Sequence, residues 1–130
     1  LADSIALFDD TYNANPDSFK AAIDVLANTQ GYRLLVMGDM AELGEKAMEM
    51  HCEIGRYAAE KGIEALYSVG VLSAVASDAF GGNHFSDKQT LMTALDDVCT
   101  KKSKVTLLVK GSRSSGMEEV VTMLSNKEKS

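Results

Sequence analysis

The 130-residue chain has little cysteine. Cys52 and Cys99 stand alone without C-x-x-C spacing, so neither a disulfide framework nor a zinc knuckle is signalled, and a reducing compartment, the cytoplasm, fits best. Positive charge is also scarce. Thirteen Lys and Arg face nineteen Asp and Glu for a net charge of -6, the wrong sign for a protein held by nucleic-acid phosphates or anionic lipids. No apolar run approaches the roughly 18 residues of a membrane span. The opening Leu1-Ala2-Asp3-Ser4 has neither an initiator Met nor a basic leader, and the expectation is a segment of a longer chain. Glycine is absent from Leu1 to Gln30, which excludes a G-x-G-x-x-G dinucleotide loop after the first strand. No Gly-Lys-Ser/Thr phosphate loop occurs anywhere. Repeats, linkers and low-complexity segments are absent as well.

What is present reads as one globular domain: 45% of residues are hydrophobic and 25% charged. Short apolar runs at Ser4 to Phe8, Leu34 to Met37, Leu66 to Val69 and Val105 to Val109, with a weaker His84-Phe85, alternate with longer amphipathic stretches. That alternation predicts a Rossmann-like three-layer α/β domain, with a mostly parallel sheet of five or six strands and helices on both faces. Phe19, Ala22, Ile23 and Leu26 predict a first helix capped by Asp17 or Ser18 and closed by Gly31. A second, Glu45 to Lys61, is expected to turn Met48, Cys52, Gly55 and Ala59 inward. Leu72 to Phe80 forms a third. Leu91, Ala94, Leu95 and Val98 mark a fourth helix with Asp87 as cap, and Met117, Val120, Val121 and Leu124 a fifth.

Ligands of open α/β sheets bind beyond the carboxyl ends of the strands, and three loops there are chemically dense. Asp9 to Pro16 gathers two carboxylates, a phenol and amides before a helix start; an elaborate turn would use many of the same residue types. Lys110 to Gly116 offers a cation, an arginine and three hydroxyls, a receptor for carboxylate or phosphate unless it is a solvated connection. Gly38 to Gly44 carries Asp39 and Glu42, which suit an ammonium group, a metal or a helix start. His51 and His84 have no Asp, Cys or second His at ligand spacing, and the seven methionines read as core filler.

Taken together, Asp9-Asp10-Thr11-Tyr12-Asn13-Ala14-Asn15-Pro16, Val36-Met37-Gly38-Asp39-Met40-Ala41-Glu42-Leu43-Gly44 and Leu108-Val109-Lys110-Gly111-Ser112-Arg113-Ser114 resemble the C-terminal domain of the Mur ligases. The likeness is strongest to the type that joins D-alanyl-D-alanine to UDP-N-acetylmuramoyl-tripeptide in peptidoglycan synthesis. It implies that residues 1–130 are the third domain of a cytoplasmic ATP-dependent ligase, closing over a central ATPase domain of the same chain. By that resemblance Asp10 meets the ATP ribose, with Tyr12, Asn13 and Asn15 lining the same cleft. Lys110, Ser112 and Arg113, with Asp39, face the incoming dipeptide. ATP and Mg2+ belong to the whole enzyme, and the phosphate loop and metal ligands to its central domain, so the segment alone is expected to be inert. A free-standing α/β nucleotide-binding regulatory module is the alternative, and the reading frame upstream of Leu1 separates the two.

Overall fold

The computed structural model describes residues 4–10 and 15–129, with side chains over 15–125. Its strands are β1 (Ser4–Asp10), β2 (Tyr32–Met37), β3 (Ala65–Val69), β4 (Asn83–Phe85) and β5 (Lys104–Lys110). They alternate with helices α1 (Pro16–Ala27), α2 (Ala47–Glu60), α3 (Ser73–Phe80), α4 (Lys88–Lys101) and α5 (Glu118–Lys129). The sheet runs β1-β5-β2-β3-β4 and every recorded pair is parallel. Four strands of five to seven residues form its body, and the three-residue β4 extends one edge.

Alternation along the strands builds two cores. Leu35, Met37, Leu66 and Leu108 meet Phe19, Ile23 and Leu26 of α1, Ile54 and Ala58 of α2 and Ala76 of α3. On the opposite face Leu34, Val36, Val105, Leu107 and Val109 meet Leu91, Leu95 and Val98 of α4, Val120 and Leu124 of α5, and Met117 just before α5. The three-layer expectation is therefore met. The order also creates a switch at the β2–β5 seam, because the chain leaves β2 for α2 on one face and leaves β5 for α5 on the other. Such a seam opens a crevice at the carboxyl ends of the strands.

Some local expectations are corrected. The cap of α1 is Asn15, not Asp17 or Ser18: with Pro16 at the first helical position, Asn15 Oδ1 accepts from Ser18 N at 2.9 Å and Ser18 Oγ accepts from Asn15 N at 3.0 Å, a reciprocal capping box. The helix ends at Ala27 with Asn28 as its C-cap, ahead of Gly31. In α2 the inward set is His51, Ile54, Gly55 and Ala58, whereas Met48 and Ala59 are exposed. The expected stripe shares only Gly55 with this set and leaves out the buried His51. Asp87 does cap α4, accepting from Thr90 N at 2.8 Å.

At the amino ends of the strands Arg33 makes a structural clamp. Its Nε and Nη2 donate to the two carboxylate oxygens of Glu64 at 2.8 and 2.9 Å, while Nη1 and Nη2 also reach the carbonyls of Ala27 and Gly62, both at 2.7 Å. This fork ties the end of α1 to the β3 approach at the edge away from the crevice.

Candidate functional site

The carboxyl ends of β2, β3, β4 and β5 surround a cavity of about 490 Å³. Asp39 and Met40 line it after β2, Val69 at the end of β3 with Gly70 and Leu72 beyond it, Ser86 to Lys88 after β4, and Ser112, Ser114 and Ser115 after β5. Sequence reasoning found the β2 and β5 walls and missed the other two. The available signal was position: Gly70 and Ser86-Asp87 also directly follow strands at the same edge.

The two central walls meet backbone to backbone. Gly38 N donates to Lys110 O at 2.9 Å and Ser112 N donates to Asp39 O at 2.8 Å, so the β2–β5 ladder continues past the strands into both loops. A Cβ on Gly111 would lie 2.5 Å from Ser115 Oγ and 2.7 Å from Met117 Cγ; one on Gly38 would lie 2.8 Å from the same Ser115 atom. The absence of side chains at these positions lets the turn Arg113–Ser115 lie flat on the seam. Ser115 Oγ donates to Ser112 O at 2.6 Å, and the hydroxyls of Ser112 and Ser114 are 3.0 Å apart. The result is a wall of hydroxyls at the mouth of the crevice.

Asp39 is turned toward the start of α3. Its Oδ1 accepts from Ser73 N and Ser73 Oγ, both at 2.7 Å, and its Oδ2 accepts from Leu72 N at 3.2 Å. An anion at a helix N-terminus is stabilised by the free amides and the helix dipole. Gly70, at φ +112°, passes so close that a Cβ there would sit 2.5 Å from the carboxylate. Thus the Gly38 to Gly44 loop does hold a helix start, but that of α3 rather than the helix that follows it. Glu42 stands apart, exposed and with φ +59°.

The other expected site residues are distributed as follows. Asp10 is the last residue of β1 and pairs in register with Lys110 of β5; its side chain, and Tyr12 and Asn13 altogether, lie outside the described residues. Asn15 caps α1. Lys110 is fully buried, its Nζ 5.4 Å from the centre of the Phe19 ring on α1, and it does not line the cavity. Ser112 is buried in the cavity wall, and Arg113 is exposed between the cavity residues Ser112 and Ser114. The structure therefore brings Asp39 and Ser112 together with Arg113 at the rim, and sets Lys110 against α1. Lys88, half-buried, adds a cation to the β4 wall and reaches Glu119 at 3.5 Å.

Residues 2–113 match the family model described as Mur ligase, glutamate ligase domain. The chain belongs to the Mur ligase family and is a C-terminal domain of that type. Within the family it is 49% identical, over 95% of its length, to the UDP-N-acetylmuramoyl-tripeptide--D-alanyl-D-alanine ligase of Escherichia coli, and covers 28% of that protein. A crystal structure of MurF from Acinetobacter baumannii superposes with a TM-score of 0.86 at 31% identity, covering 95% of this chain and 28% of the other. The MurF ligase of Thermotoga maritima, solved in complex with ADP, matches with a TM-score of 0.79 at 27% identity, covering all of this chain and 30% of its own. The chain thus spans little more than a quarter of the curated relatives it matches.

Proposed function

We propose that this chain is the third, C-terminal domain of a cytoplasmic ATP-dependent ligase that adds D-alanyl-D-alanine to UDP-N-acetylmuramoyl-tripeptide. The observation that carries this reading is the likeness to such ligases across nearly the whole chain. The relatives described above are ligases, which does not favour a free-standing regulatory module. In the full enzyme, ATP converts the tripeptide carboxylate to an acyl phosphate, the dipeptide amine attacks it, and phosphate leaves as the amide forms. The contribution of this domain is positioning and the exclusion of water as it closes over the central ATPase domain.

The residues divide the work by their place on the sheet edge. The β1–α1 connection, with Asp10, Tyr12, Asn13 and Asn15, serves the nucleotide; a carboxylate there can accept two ribose hydroxyl hydrogen bonds. The crevice beyond β2 and β5 serves the dipeptide. Arg113 at its rim supplies a planar guanidinium for the dipeptide's free carboxylate, and Ser112 sits in the adjoining hydroxyl wall. Asp39 holds that crevice's floor through the start of α3. Lys110 acts from the α1 side, between the nucleotide connection and the crevice. Among the described residues no group of three or more His, Cys, Asp or Glu side chains is placed to hold a metal ion. By the family resemblance, Mg2+ would be held by residues of the central domain.

The test is product formation by the purified full-length ligase with ATP and UDP-N-acetylmuramoyl-tripeptide. Amide product with D-alanyl-D-alanine and none with D-glutamate is expected, and the 130-residue chain alone should turn over neither ATP nor peptide. Efficient use of D-glutamate in place of the dipeptide overturns the substrate assignment, and ATP hydrolysis by the isolated chain overturns the division of labour.

A further inference from the structure

We propose that His51, a fully buried residue in the first turns of α2, is a positioning residue for the dipeptide crevice, acting through the backbone of Met40. Its two ring nitrogens are both engaged: Met40 N lies 3.0 Å from Nε2, and Ala47 O lies 2.7 Å from Nδ1. A backbone amide can only donate and a carbonyl can only accept. The neutral imidazole with hydrogen on Nδ1 and a lone pair on Nε2 is therefore the one form that satisfies both. Among the described residues Met40 N has no other hydrogen-bond partner, and Met40 is 1% exposed, so water is no substitute.

The bond matters for what it holds next. Asp39 precedes Met40 and ties three ways: its carboxylate to Leu72 and Ser73 at the start of α3, and its carbonyl to Ser112 N in the β5 wall. Asp39, Met40, Leu72 and Ser112 all line the cavity. The segment that follows, from Ala41 to Lys46, is mostly exposed and includes Glu42 in a left-handed conformation, so it provides little to fix the loop. His51 supplies that anchor from α2, a helix packed so closely on α3 that Gly55, one turn further on, admits no Cβ against the Ala76 carbonyl. Thus α2 sets the position of the crevice floor and, through it, the spacing of the β2, β3 and β5 walls.

This inference rests on the assignment of the crevice to the dipeptide, and its test separates the two. In the 130-residue chain, imidazole 15N shifts should show His51 protonated at Nδ1 and bare at Nε2, and Met40 should be among the slowly exchanging amides. The opposite tautomer, or free exchange at Met40, overturns the positioning role whatever the substrate. In the full-length ligase His51→Phe, which fills the site but accepts no hydrogen bond, should raise the dipeptide KM by about ten-fold or more and leave the ATP KM within about two-fold. His51→Gln, whose Oε1 can take the place of Nε2 as acceptor, should recover most of that loss. Equal dipeptide KM in the two variants, or equal loss in dipeptide and ATP KM, also overturns it. If His51→Phe does not fold, the wild-type tautomer and the Gln variant's dipeptide KM decide. A wild-type ligase that shows the expected tautomer and protection but does not use D-alanyl-D-alanine refutes the substrate assignment instead.

Discussion

Replacing Asp39 by alanine should loosen the whole carboxyl edge of the sheet. The side chain accepts three hydrogen bonds, two at 2.7 Å and one at 3.2 Å, from the first backbone amides of α3 and the Ser73 hydroxyl. Loss of a helix-capping side chain costs about 0.5–2 kcal/mol, and hydrogen bonds to a charged acceptor contribute about 1.5–3 kcal/mol each before water replaces them. Asp39 is only partly buried, so water recovers some of this and a net loss of about 2–3 kcal/mol is expected. For a domain of this length that corresponds to a Tm lower by about 6–15 °C, read by thermal melting followed at 222 nm. Asp39→Asn keeps one acceptor oxygen but turns an amide donor toward the Leu72 or Ser73 N–H, and should fall between the two. Ser73→Ala removes only the hydroxyl bond, and a double-mutant cycle between the positions should give a coupling of about 0.5–1 kcal/mol. An Asp39→Ala protein melting within about 1 °C of the parent would refute the claim that this carboxylate holds α3.

At the α2–α3 contact, Gly55→Ala should destabilise by about 1–3 kcal/mol, because the added methyl overlaps the Ala76 carbonyl oxygen and two helix backbones must part; Ala59→Ser on the exposed side of the same helix should change stability by less than about 0.5 kcal/mol. The Arg33 guanidinium holds the Glu64 carboxyl below the usual carboxylate range. A lowered folded-state pKa contributes stability above the unfolded pKa of about 4.3 and loses it as pH falls through the folded value. Urea melts should therefore show Glu64→Gln less stable than the parent at pH 7, with the gap closing on acidification below about pH 4.5; a gap that widens there contradicts the pairing.

How much of this was legible follows from which forces are local. Periodicity placed all five helices and the strands, because two-sided burial of a parallel sheet leaves apolar runs such as Leu34 to Met37 and Val105 to Val109 that few other structures require. Caps were read less well. Pro16 at the first helical position passes the cap back to Asn15, whose side-chain oxygen accepts from Ser18 N. The chemistry of the β2 loop was visible, but its target was not: Asp39 caps a helix that begins 34 residues away, a contact that exists only once β2 and β3 lie side by side. His51 was set aside for want of a nearby ligand partner. Its true signal was helical, since 51, 54, 55 and 58 form an unbroken inward stripe when a histidine is admitted to the core. Lys110 was grouped with Arg113 by closeness in sequence, while the strand alternation carries it to the Phe19 side.

The central claim is that the loop after β5 receives the free carboxylate of the dipeptide. The most direct measurement compares D-alanyl-D-alanine with its C-terminal amide in the full-length ligase, for the wild type and for Arg113→Lys. With the carboxylate on a bidentate guanidinium, the amide should be a poor substrate for the wild type. Arg113→Lys should raise the KM of the acid by about ten-fold or more while costing the amide much less and leaving the ATP KM nearly unchanged. Equal impairment of acid and amide would contradict the claim and return the Lys110 to Gly116 segment to a solvated connection.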